Sequence, residues 1–161
     1  LDAHDYFWFE DPIPANDIES IKELTNRLET PLNMSDTTCF LFHEAANFLH
    51  QNATRLIRGT VRKIGITGLK KQMALVEGFH KVCEVGLAGN SAMNVANLHV
   101  IISSVNCTYF EYWLPKEVHQ WGVTEQLKIN DNGNLEAPMG PGLGIELDEE
   151  WIASHKVATL S

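Results

Sequence analysis

With 161 residues and 44% hydrophobic content, the chain is long enough to bury a sizeable core. A formal net charge of −9 argues against binding to nucleic acid or to an anionic membrane surface, and no stretch reads as a signal peptide or a membrane span. Three cysteines, Cys39, Cys83 and Cys107, lack metal-ligand spacing and read as reduced core thiols, the pattern of a cytoplasmic protein.

The first element is the run Tyr6-Phe7-Trp8-Phe9-Glu10-Asp11-Pro12, large apolar residues ending in a carboxylate pair and a proline. Its aromatic content and length predict a strand buried on both faces, with Trp8 and Phe9 covered on opposite sides. A helix follows, with Asn16 as N-cap, Glu19 in capping-box spacing and an apolar stripe of Ile18, Ile21, Leu24 and Leu28. Thr30 to Asp36 is again a short strand-like run ending in an acid. Strand, helix and strand with short links make a βαβ unit, so both strands run parallel and their C-terminal ends share a rim. Glu10 and Asp36 then form half of a site for a hard cation such as Mg²⁺.

The alternation continues. Cys39 to His50 reads as a helix, Arg55 to Arg58 as a strand running into Gly59, and Gly65 to Val82 as a helix opened by a glycine. Glu84 to Leu87 is a strand, Asn94 to Val105 a helix, and Thr108 to Glu111 a strand ending in another acid. This is an α/β chain with the rhythm of a (β/α) TIM-type barrel, in about five units rather than the eight of a closed barrel. We place the partial barrel at residues 1–114 and a tail at 115–161, with a hairpin at Asn132-Gly133 and a short helix around Glu149 to Ala153. Five strands leave two open edges. Either a further segment covers them, or two copies do so in a homo-oligomer.

These residues, in this order, resemble the C-terminal part of the mandelate racemase and muconate lactonizing enzyme group of the enolase superfamily. The motifs that carry the resemblance are Phe7 to Pro12, Pro31 to Asp36, Arg62 to Gly68, Ala96 to His99, Tyr109 to Glu111 and Pro141 to Asp148. The resemblance implies a C-terminal tail that completes a capping domain. It also implies Mg²⁺-assisted removal of the proton α to a carboxylate, with a hydroxy acid or sugar acid as the small-molecule substrate of the full-length protein. Glu10 matches the second metal ligand and Asp36 the third, where relatives usually carry the longer Glu. Glu111 matches the acid that closes the site from the last barrel strand and is the catalytic candidate. Arg58 and Asn90, near the rim, are the substrate-binding candidates. Relatives place an Asp or a Lys where this chain has Gly59, and the His that pairs with the Asp has no counterpart in Glu84 to Asn90. The expected function is therefore a piece of a metal-dependent lyase or isomerase, inactive as this chain alone. The alternative is a non-catalytic binding or assembly relative.

Overall fold

The computed structural model describes residues 1–34 and 42–159; the predicted metal ligand Asp36 and the thiol Cys39 lie outside the described residues. Four parallel strands form one sheet in the order β1 (Phe9–Glu10), β2 (Leu32–Met34), β3 (Leu56–Gly59) and β4 (Val82–Val85). The connections carry α1 (Ile18–Arg27), α2 (Phe42–His50) and α3 (Val61–Gly78), and α4 (Ser91–Ile102) follows β4. A parallel bridge from Val85 to Phe110 sets residues 109–111 beside β4 in a fifth position. The order of strands and helices through α4 is the predicted one, whereas the predicted strand Thr108 to Glu111 is reduced to the single Val85–Phe110 bridge.

Register fixes the two faces of the sheet. Parallel partners project on the same side, so the pairs Glu10–Asn33, Asn33–Leu56, Leu56–Val82 and Arg58–Glu84 share one face. Leu32, Met34, Ile57, Cys83 and Val85 share the other, and all five belong to the buried core with Ile21, Leu69, Met73, Val76, Ala96 and Val100 of the helices. Among the described residues the helices cover this side of the sheet. The concave side carries Trp8, Glu10, Asn33, Arg58 and Glu84.

Several predicted boundaries move, each for a local reason. Asp17, not Asn16, caps α1, its Oδ1 accepting from the Ser20 N–H at 3.2 Å. The α3 helix begins four residues before Gly65, because Thr60 serves as its N-cap. Gly65 is a break within that helix, at φ 67°, a conformation only glycine adopts without strain. β4 starts two residues earlier than expected, and α4 starts at Ser91 because Asn90 Oδ1 accepts from the Met93 N–H at 3.0 Å.

The first strand departs most from expectation. Only Phe9–Glu10 pairs, Phe9 is 37% and Phe7 60% exposed, and Trp8 is half-buried. Among the described residues β1 has a neighbour on one side only, so it is an edge strand and its aromatics lack the cover predicted for them. The 132–133 hairpin reduces to one bridge, Ile129 to Leu135, closed by the Asn130–Asn134 and Gly133–Asn130 backbone bonds. The tail ends in α5 (Glu149–Ser154), capped by Asp148. No helix among the described residues is long and apolar enough to cross a membrane.

Candidate active site

Three of the predicted site residues meet at the C-terminal ends of the strands. Glu10 ends β1, Arg58 lies one residue from the end of β3, and Glu111 follows the Phe110 bridge. They come from the first, third and fifth positions of the sheet. Alternate strands contribute the side chains of one layer inside a (β/α) barrel, and these three form such a layer. Arg58 Nε donates to Glu10 Oε1 at 3.0 Å, and Arg58 Nη2 lies 2.9 Å from Glu10 Oε2 and 3.1 Å from Glu111 Oε2. The guanidinium carbon stands 5.9 Å from the centre of the Trp8 ring, within cation–π range.

The Arg58 side chain is 8% exposed, against 29% for Glu10 and 44% for Glu111. A cation so far removed from water needs partners, and the two carboxylates supply them. Each carboxylate is further tied down. Trp8 Nε1 donates to Glu10 Oε2 at 3.3 Å, and the Leu87 N–H donates to Glu111 Oε2 at 2.8 Å. Two donors on one carboxylate oxygen use both of its lone pairs. Phe7 and Trp8 pack edge-on and tilted against Tyr109, with ring centres 5.2 and 6.1 Å away.

This arrangement does not fit a divalent ion on Glu10. An Mg²⁺ bound to Oε2 at ~2.1 Å would stand within ~5 Å of the guanidinium charge. At an effective dielectric constant of ~20 that repulsion amounts to several kcal/mol. Among the described residues no cluster of three or more acidic, histidine or cysteine side chains is arranged to hold a metal.

Other predicted positions fall elsewhere. A Cβ built on Gly59 would lie 2.5 Å from Leu69 Cδ1 and 3.2 Å from Gln72 Nε2, so a side chain there would enter the helix layer rather than the rim. Asn90 sits near the rim, with its oxygen engaged as the α4 cap.

Sequence reasoning missed two inward polar groups. Asn33 is fully buried beside Glu10 in register, and among the described residues neither atom of its amide has a hydrogen-bond partner. Glu84, 1% exposed, accepts from the Thr108 and Tyr109 N–H groups at 3.3 Å and from Cys107 Sγ at 3.5 Å. Their signal was present in the strict alternation of Leu32-Asn33-Met34 and Cys83-Glu84-Val85. Burial pushes the Cys83 thiol up and raises that of Cys107 to about 12, so both stay protonated at neutral pH and neither is an activated nucleophile.

The family model for the enolase C-terminal domain-like proteins matches residues 1–151. The chain is 25% identical to the D-xylonate dehydratase of Haloferax volcanii over 98% of its length, covering 38% of that protein. It is 26% identical to a D-mannonate dehydratase of Caulobacter vibrioides, over 96% of this chain and 39% of that protein. Among solved structures, a protein of the mandelate racemase/muconate lactonizing enzyme type from Pseudovibrio sp. superposes with a TM-score of 0.92 at 26% identity, over 98% of this chain and 42% of that one. D-glucarate dehydratase from Agrobacterium tumefaciens, complexed with magnesium, superposes with a TM-score of 0.85 at 27% identity, over 98% and 42% of the two chains. The chain thus spans about two fifths of the length of these relatives. It belongs to the enolase C-terminal domain-like family and corresponds to the C-terminal part of the barrel in the mandelate racemase/muconate lactonizing enzyme group.

Proposed function

We propose that this chain is the C-terminal barrel segment of a lyase or isomerase that removes the proton α to the carboxylate of a small hydroxy acid or sugar acid. The observation that carries this reading is the convergence of Glu10, Arg58 and Glu111 on one rim, at the strand ends where α/β barrels hold their chemistry. Relatives named for xylonate, mannonate and glucarate dehydration support the substrate class. In this reading residues 115–161 belong to a capping unit, the whole protein is a cytoplasmic homo-oligomer, and Glu111 orients substrate or proton at the rim. Binding of Mg²⁺ by Glu10 in this segment is weak or absent, because Arg58 already engages both of its oxygens. The 161 residues alone are inactive, since a half-open rim does not exclude water from a reacting centre.

One pair of observations favours a second reading, a binding or assembly relative without catalysis. Arg58 clamps Glu10, and position 59 faces the helix layer, which leaves the rim without a general base from β3. A hybrid separates the two. The chain, and a version in which it replaces the matching segment of the Haloferax relative, would be screened for dehydration of a sugar-acid library with Mg²⁺ present. We expect no turnover by the chain alone and measurable turnover by the hybrid. Turnover by the isolated chain would overturn its inactivity, and a folded but silent hybrid would leave the non-catalytic reading.

A further inference from the structure

We propose that Arg58 is an intramolecular competitor for divalent cations at Glu10. Its guanidinium occupies the carboxylate that a metal would need. The proposal goes beyond the acid-sugar reading and stands on the ion-pair geometry whichever of the two functional readings holds.

Arg58 grips Glu10 with two different nitrogens, Nε on Oε1 at 3.0 Å and Nη2 on Oε2 at 2.9 Å. A planar fork that meets both oxygens of a carboxylate is the strong, geometrically specific form of this pairing. Release of Glu10 to a metal would cost more than that pair. Nη2 also holds Glu111, and the side chain is 8% exposed, so a freed guanidinium has little water to turn to. Trp8 reinforces the grip from both partners, its indole N–H on Glu10 Oε2 and its ring beside the guanidinium. A divalent ion therefore competes with a fixed cation already held at contact distance, and to enter it must shed water that the buried guanidinium has already lost. Magnesium gives up its water reluctantly and demands near-octahedral oxygen geometry, which the remaining lone pair of Oε1 does not provide.

The test is titration calorimetry of the full chain with MgCl₂, repeated with MnCl₂, on native protein and on Arg58→Gln. Native protein should show no binding tighter than the millimolar range. Arg58→Gln keeps an amide donor but removes the charge, and should bind at least ~10-fold tighter, the equivalent of one modest ion pair. Adding Glu10→Gln to that variant should abolish the gain. Submillimolar binding to native protein that Glu10→Gln removes would overturn the proposal, as would a folded Arg58→Gln that binds no better than native. Should Arg58→Gln fail to fold, Arg58→Lys keeps the charge but loses the fork, and should gain a smaller, Glu10-dependent affinity; its failure to gain any overturns the proposal too. These readouts are binding constants, so a silent hybrid in the dehydration screen would leave them untouched.

Discussion

The two faces of the same four strands are built on different physics. On the helix side Leu32, Met34 and Ile57 are fully buried, and Val85 nearly so, against Leu69, Met73 and Val76 of α3 and Ile21 of α1. On the concave side the same strands present Glu10, Arg58 and Glu84, held by ion pairs and backbone N–H groups, and Asn33, whose buried amide has no hydrogen-bond partner among the described residues. The apolar face needs volume and shape, and it tolerates apolar groups of matching volume. The polar face needs each charge matched, since an unmatched one inside the barrel is costly. Apolar burial therefore resides mainly on the first face and the charged groups on the second.

Substitutions on the two faces should differ in size accordingly. Ile57→Ala removes a fully buried side chain from the centre of the helix-covered face and should cost ~2–5 kcal/mol in denaturant unfolding. A loss below ~1 kcal/mol would show that the core does not sit where the register puts it. Trp8→Ala on the concave edge should cost less, ~1–2 kcal/mol, because the ring is half-buried rather than enclosed as the sequence suggested. A loss equal to that of Ile57→Ala would mean that β1 is covered in solution, and would erase the contrast between the faces.

The sequence carried the order of elements because each strand is a short apolar run and each helix has a 3.6-residue stripe. Boundaries slipped where a polar residue could cap from either of two positions, as with Asn16 and Asp17, or where a glycine suggested a start and was in fact a break, as with Gly65. The rim was legible in part. Glu10 and Glu111 announced themselves as acids at strand ends. Their pairing with Arg58 did not, because it spans 48 and 53 residues and depends on how far the sheet curls. A substrate-binding role for Arg58 was expected from its place on the rim; its pairing with Glu10 and Glu111 could be seen only in three dimensions. Gly59 likewise sat at the expected strand end, but one residue of register turns its Cβ from the rim into the helix layer.

At the opposite end of the strands an acid is held by hydroxyl and backbone N–H donors rather than by an arginine, and pH should expose the difference. The Asp2 carboxylate accepts from the Thr30 hydroxyl at 2.7 Å, the Thr30 N–H at 2.8 Å and the Glu29 N–H at 3.1 Å, just before β2 begins. These bonds, that from the Thr30 side chain foremost, lower its pKa from 3.8 to about 2. A carboxyl depressed on folding stabilises the native state above its unfolded value, and that contribution is lost as pH falls through the folded value. The window is therefore 3.8 down to about 2, with the full contribution present at neutral pH. Asp2 is exposed, so the effect should be the smallest of those proposed. Asp2→Asn should lower the melting temperature slightly at pH 7 and flatten its decline across that acid window, whereas Ile57→Ala should shift the whole curve without changing its slope. A native protein whose stability is level between pH 4 and pH 2, with Asp2→Asn superimposed on it, would show that the segment before β1 is not tied to Thr30 in solution.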